Sequence, residues 1–350
     1  MTAVLMVSGS WPPQACGVGD YADTLSAHLD AAGLRVIRFG DSSFSSLLSP
    51  RIIAEIRRHE CDIVHIQYPT VGFGRSLTPS LLGVGVRTPM LVTLHEYSSF
   101  RPYRRPWFIP FARYCRARIF TNAADRMLFE QRFPKRRGFD ATIEIASNVP
   151  QGRSVPRHLG KVVHFGLIAP HKGIEDFLDF CVIAKAQAGL VLALVGAIPD
   201  TQRAYADDIV RRADALGVVT RLNLPRDQVA DELAGATFAY LPFPDGASAK
   251  RGSLAAALVN GLAVITPLTA QTPDWIRSAT VDAASPREAF DAVMRLRRDP
   301  VALQALTART RAVARRLSWD AIVDRHGELY ERVLGRADGA PLRRSANALH

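Results

Sequence analysis

Val162-Val163-His164-Phe165-Gly166-Leu167-Ile168-Ala169-Pro170-His171-Lys172-Gly173-Ile174 passes from an apolar run of strand length, through a turn, into a helix-like pattern that continues from Gly173 to Ala188. The same succession recurs downstream. Leu190 to Gly196 reads as a strand, Ala204 to Leu216 as a helix, Phe238 to Pro242 as a strand, Ser253 to Asn260 as a helix and Ala263 to Thr266 as a strand. Helices over Pro286 to Arg298 and Val301 to Leu317 follow. Strands alternating with helices define βα units on a parallel sheet.

Upstream, the alternation is already present: Ala3 to Ser8, an amphipathic Gly19 to Ala32, Arg35 to Phe39, Pro50 to His59 and Asp62 to Gln67. Between the two series, Asn148-Val149-Pro150-Gln151-Gly152-Arg153-Ser154-Val155-Pro156 is rich in proline, glycine and polar residues and has no period, the composition of an interdomain linker. A chain of 350 residues exceeds the size at which single cores stop growing. Two α/β domains are therefore expected, 1–152 and 153–325, with a disordered tail over 337–350, where the pattern is lost.

In open α/β sheets ligands bind outside the carboxyl ends of strands. Three segments occupy such positions. Pro12-Pro13-Gln14-Ala15-Cys16-Gly17-Val18-Gly19-Asp20-Tyr21 joins the first strand to the first helix; its glycines either admit a ligand to the backbone or close an ordinary turn. In the second segment, Lys172 stands at a helix start, where the helix dipole opposes it unless it meets an anion; otherwise it is a solvated lysine beside a capping loop. The third, Leu241 to Leu254, brings Lys250, Arg251, Gly252 and Ser253 to a helix N-terminus, combining two cations, a flexible backbone and a hydroxyl that caps the helix or binds phosphate. The strands Ile63–Ile66 and Met90–Leu94 are followed by Gln67-Tyr68-Pro69 and His95-Glu96-Tyr97, also placed to face a cleft.

The net charge of +11 points to an anionic partner, although the cations are mostly arginine and spread over both halves. One cluster, Arg101-Pro102-Tyr103-Arg104-Arg105-Pro106-Trp107, with Arg113, Arg116 and Arg118 following on a helix-like stretch, reads either as a peripheral contact with an anionic membrane or as a solvated basic surface. No apolar run spans a bilayer, and Thr2–Val7 lacks the flank and length of a signal peptide. The four cysteines form no Cys-x-x-Cys pair, so neither zinc nor a disulfide framework is expected, and a cytoplasmic setting is. No nucleic-acid-binding signature accompanies the charge, and no nucleic acid partner is expected.

Taken in order, Cys16-Gly17-Val18-Gly19, Asp62 to Gln67, Thr93-Leu94-His95-Glu96, Phe165-Gly166 with Lys172-Gly173, Val195-Gly196, Leu241-Pro242-Phe243 and Gly261 to Thr266 resemble GT-B glycosyltransferases of the large retaining family four, the group 1 type. Ser318-Trp319-Asp320 and Leu329-Tyr330 resemble that family's closing helix, which implies a segment 326–336 returning to the N-terminal domain. The resemblance implies an α/β GT-B fold, two Rossmann-like domains facing across a cleft, and a hexosyltransferase moving sugar from a nucleoside-diphosphate sugar to a hydroxyl of a carbohydrate or lipid-linked acceptor. Polysaccharide or glycolipid synthesis, in the cytoplasm or at the inner face of the membrane, is the implied setting. Donor binding would fall to Gly17, Gly19, Lys172, Lys250, Arg251, Gly252, Ser253 and Leu254, and the acceptor side to Tyr68, His95 and Glu96. His95, Lys172 and Arg251 would carry catalysis, with no cofactor and no metal.

Two positions depart from the family pattern. Aligned on Gly261, Ser248 and Ala256 stand where a pair of glutamates is usual, and Leu167 where an arginine commonly precedes the phosphate lysine. The chain thus resembles a branch without the paired glutamates, in which Asp245 or Glu175 would substitute in part. An inverting transferase, a nucleotide-sugar epimerase and a catalytically degenerate GT-B protein that binds nucleotide or a partner are the alternative expectations.

Overall fold

The computed structural model describes residues 1–14, 16–153, 155–185 and 189–336. The expected tail, 337–350, and the end of the helix read over 173–188 lie outside the described residues. The chain divides into two compact units, Met1–Glu144 with the chain from Trp319, and Ile145–Ser318. The sequence reading divided it after 152 and after 325. The difference at the first boundary has a physical cause: Val149 is buried in the second unit's core, Gly152 N–H donates to Asn260 Oδ1 (2.8 Å), and Asn260 Nδ2 donates to the Pro150 carbonyl (3.1 Å).

Unit 1 contains β1 (Ala3–Val7), α1 (Gly17–Ala31), β2 (Arg35–Phe39), α2 (Pro50–Ile56), β3 (Ile63–Tyr68), α3 (Thr78–Gly85), β4 (Met90–Leu94), α4 (Ile109–Tyr114), β5 (Ala117–Phe120), α5 (Ala123–Arg132) and β6 (Phe139–Thr142). Its six strands are all parallel, in the order β2-β1-β3-β4-β5-β6. Strands β1, β3, β4 and β5 are buried along their whole length and are mostly apolar, as a parallel sheet covered on both faces requires. The edge strands β2 and β6 are partly exposed.

Unit 2 contains β7 (His158–Leu167), α6 (Ile174–Ala184), β8 (Val191–Ala197), α7 (Arg203–Ala215), β9 (Val219–Leu222), α8 (Arg226–Ala234), β10 (Ala236–Tyr240), α9 (Gly252–Val259), β11 (Ala263–Thr266), α10 (Asp274–Ala279), β12 (Thr280–Asp282), α11 (Pro286–Arg298) and α12 (Pro300–Arg316). Its sheet is again six parallel strands, ordered β12-β11-β10-β7-β8-β9. Helix α6 shows why such segments dock. Ile174, Phe177, Leu178, Cys181 and Ala184 recur at helical spacing and are all buried, each large apolar side chain contributing about 1.5–3 kcal/mol. The last helix, α13 (Trp319–Leu334), groups with unit 1.

The arginine run after Trp107 does not follow the expected helix. Arg113 lies in α4, but Arg118 lies in β5 and is fully buried, its Nε 2.5 Å from Asp140 Oδ1 of β6 and its Nη1 donating to the carbonyls of Phe111, Ala112 and Cys115. A guanidinium with a carboxylate partner on the adjacent strand can be buried; periodicity alone gave no sign of that partner. No helix among the described residues is long and apolar enough to cross a membrane.

Candidate functional site

Both sheets reverse strand order at one point, and that point places each unit's candidate residues. In unit 2, β7 pairs with β8 on one side and β10 on the other, so a crevice opens at the carboxyl ends of β7 and β10. The Lys172 loop leaves β7, and the Lys250–Arg251 loop leaves β10. The two loops touch. Gly173, at φ 80°, is so close to the Pro242 carbonyl that an added Cβ would lie 1.9 Å from its oxygen. Only glycine satisfies both demands. His171 also takes a positive φ, 62°, so the half-buried Lys172 is held between two left-handed residues. It forms no ion pair among the described residues.

Helix α9 starts at Gly252, with Arg251 at the N-cap and no side chain capping it. Ser253 is therefore inside the first turn rather than the cap. The Ala255 N–H makes the first helical bond, to the Arg251 carbonyl (3.0 Å), which leaves the preceding amides of the first turn to face an anion. Gly252 has open space where a Cβ would stand. The Leu254 side chain is buried in the core, so only its amide is available to a ligand. Arg251 pairs with the exposed Asp245, and its guanidinium lies 4.8 Å from the Phe243 ring centroid. Burial lowers its pKa, yet a guanidinium stays charged in proteins. Lys250 is half-buried on the same loop.

The residues considered as stand-ins for the glutamate pair are otherwise engaged. Asp245 is held by Arg251, and Glu175 accepts a hydrogen bond from Tyr205 Oη (2.6 Å). Ala256 is fully buried in α9.

In unit 1 the reversal lies at β1, which pairs with β2 and β3. Cys16 caps α1, its Sγ accepting from Gly19 N–H at 3.4 Å. The two glycines differ in their surroundings. A Cβ on Gly19 would lie 2.6 Å from the Ser10 carbonyl oxygen, whereas Gly17 faces open space. Close packing thus accounts for Gly19, and Gly17 alone is open to a ligand.

His95 follows β4 and is almost fully buried, with its ring edge-on to Tyr21 at 5.2 Å. It belongs to a buried polar chain that motif reading missed. Tyr330 Oη lies 2.7 Å from His65 Nδ1, and His65 Nε2 lies 2.8 Å from Thr93 Oγ1 and 3.3 Å from Gln67 Nε2. Gln67 Oε1 lies 2.9 Å from His95 Nε2. With the Gln67 amide also donating to Met6 Sδ (3.3 Å), the pattern assigns protons to His65 Nδ1 and His95 Nε2. Burial holds the His65 pKa well below that of a free histidine, reinforced by His326 and His95, so His65 is neutral. The signal was present in sequence as His-x-Gln and Thr-x-His within apolar strands, alternate positions that share a strand face.

Glu96 is exposed beside His95. Tyr68 is buried in an aromatic cluster with Phe73, Phe100, Phe108 and Phe111, which gives its ring a packing role. Burial raises its pKa, partly offset by Arg104. Among the described residues no cluster of three or more His, Cys, Asp or Glu side chains suits a metal ion.

No protein-family model matches the chain, and no curated protein matches its sequence. Solved structures do. Sucrose-phosphate synthase from Thermosynechococcus elongatus gives a TM-score of 0.68 at 16% identity, covering 96% of this chain and 100% of that one. Anabaena HepE in complex with UDP and glucose gives 0.67 at 15% identity, covering 95% and 100%. A glycosyltransferase from Rickettsia africae gives 0.67 at 10% identity, covering 96% and 99%. These likenesses define the fold class: two parallel-sheet α/β units of the GT-B glycosyltransferase type.

Proposed function

We propose that the chain is a glycosyltransferase of the retaining, family-four type that transfers a hexosyl sugar from a nucleoside-diphosphate sugar to a hydroxyl of a carbohydrate or lipid-linked acceptor. Its setting would be polysaccharide or glycolipid synthesis in the cytoplasm or at the inner membrane face. The observation that carries this reading is the contact of Gly173 with the Pro242 carbonyl, which joins the Lys172 loop to the loop bearing Lys250, Arg251 and the open start of α9. Cations and amide donors so fixed suit a diphosphate. HepE, a protein of the same fold, has been seen with UDP, which makes UDP the first nucleotide to try.

As the glycosidic bond to the diphosphate breaks, negative charge grows on the leaving oxygen. Lys172, Arg251 and the amides of Gly252, Ser253 and Leu254 would stabilise it without reorganising, and this scheme calls for no metal or other cofactor. His95, with its tautomer set by Gln67, would face the transferred sugar, and Glu96 the acceptor. The absence of carboxylates at Ser248 and Ala256 favours a second reading, a GT-B protein that keeps nucleotide binding and has lost turnover.

Thermal unfolding with UDP, GDP and ADP tests the reading, in wild type and in Lys172→Ala and Arg251→Ala. A nucleotide at about 100 times its Kd adds roughly 2.7 kcal/mol of stability. One nucleotide class should raise the wild-type midpoint and fail to raise it in either variant. If no nucleotide does so in protein freed of bound nucleotide, the donor-site assignment is wrong. Binding without sugar transfer to any acceptor selects the second reading.

A further inference from the structure

Unit 1 holds a concavity of about 250 Å³ beyond the carboxyl ends of β3 and β4, lined by Pro69, Glu96, Phe100, Arg101, Tyr103 and Arg104 among others. Its cations are arranged unlike those of a solvated basic surface. The Arg104 guanidinium lies 4.6 Å from the Trp107 ring centroid and 5.2 Å from that of Phe100, so two aromatic rings fix it in place. Its Nε is buried and has no hydrogen-bond partner, and the same holds for Nε of the adjacent Arg105. Neither these two arginines nor Arg101 forms an ion pair among the described residues. The buried Nε atoms are out of a ligand's reach, but the terminal N–H groups of Arg101 and Arg104, which line the concavity, make no hydrogen bond among the described residues, and an oxyanion can take two parallel bonds from one such arginine. Glu96 adds an acceptor for hydroxyl groups, and the exposed Tyr103 a ring face for an apolar sugar face.

We infer that this concavity binds an anionic saccharide, a sugar bearing phosphate or carboxylate, as the acceptor of the proposed transferase. The inference rests on the transferase reading for the word acceptor, but the binding itself does not. Arg101 and Arg104 hold the oxyanion, and Glu96 orients the hydroxyls.

The test titrates hexose 6-phosphate, hexuronate and the neutral hexose into the full chain and reads fluorescence from Trp107, with Trp107→Phe assigning the signal. Both charged sugars should saturate the signal, and the neutral hexose should bind at least about tenfold more weakly, the value of one charge-assisted hydrogen-bonded contact. Arg104→Gln, and the exposed-site variant Arg101→Gln, should each weaken the charged sugars by about tenfold or more while leaving the neutral one unchanged. Lys172→Ala should leave all three titrations unaltered, which separates this site from the donor site. The response of Arg104→Gln to nucleotide should likewise persist. Equal affinity for charged and neutral sugars, or unchanged affinity in Arg101→Gln, overturns the inference. So does sedimentation with vesicles of equal parts phosphatidylcholine and phosphatidylglycerol when no sugar saturates the signal; the segment is then a lipid contact. Saturable anionic binding with no nucleotide response anywhere would uphold the site and remove the transferase reading.

Discussion

Acid should destabilise unit 1 before its carboxylates titrate, because two histidines are locked neutral in its interior. His326 Nδ1 lies 2.7 Å from the Ile322 carbonyl and can only donate there, so Nε2 carries the lone pair, buried and without a partner. Protonating it would place an unpaired cation in the core. Burial accordingly holds its pKa down to about 4, and the neighbouring Arg325 acts in the same direction. His65 is shifted the same way. The unfolded chain titrates near 6.5, so between that pH and about 4 the unfolded state binds more protons than the folded state, and stability falls as pH falls. Integrated from pH 7 to pH 5, His326 removes about 2 kcal/mol, and His65 adds to the loss in the same direction. Below the folded pKa the loss levels off. Urea unfolding at pH 7, 6 and 5 measures this through tryptophan fluorescence, since Trp11, Trp107 and Trp319 all lie in unit 1. His326→Leu should reduce the pH dependence, whatever it does to stability at pH 7. A wild-type midpoint that is flat from pH 7 to pH 5, or an unchanged slope in His326→Leu, would refute the argument.

Tyr330→Phe deletes the hydroxyl 2.7 Å from His65 Nδ1, strands a buried donor and opens no cavity, so it should cost about 1–3 kcal/mol in urea unfolding. Gly19→Ala should cost about 1–3 kcal/mol, because its Cβ meets the Ser10 carbonyl at 2.6 Å; Gly17→Ala, facing open space, should change stability by less than ~0.5 kcal/mol while lowering the sugar-transfer rate. Asp245→Asn frees Arg251 from an exposed carboxylate and should tighten nucleoside-diphosphate binding by up to about fivefold in calorimetry. Weaker binding instead would mean that Asp245 serves the ligand directly.

How much of this was legible in the sequence depended on whether the deciding interaction was local. The buried strands β1, β4, β8, β10 and β11 were found within a residue or two, because a strand covered on both faces must be apolar throughout. The half-exposed edge strands β6 and β9 carry no such run and were not read. Arg118 was assigned to a basic helical face because its partner, Asp140, is 22 residues away and meets it only through strand pairing. The irregular stretch 148–156 reads as a linker, yet it lies within unit 2, tied there by the side chain of Asn260, more than a hundred residues downstream.

The same distinction explains the candidate site. Lys172, Arg251 and Gly252 could be named as candidates because a helix start suited to an anion is written in a few adjacent residues. The division of labour among those residues was not, since it turns on neighbours remote in sequence: the Ser10 carbonyl claims Gly19, the core claims Leu254, and Asp245 claims Arg251. Helix α9 also shows what the missing glutamates entail. Ala255, Ala256, Ala257 and Leu258 are consecutively buried, so a carboxylate in place of Ala256 would need its own partner inside that cluster. With alanine there, α9 packs as an apolar element, and its exposed start keeps the groups that suit a diphosphate. In the proposed transferase, recognition of the sugar would then fall to residues elsewhere, His95 among them, whose ring the buried chain from Gln67 through His65 to Tyr330 holds in place.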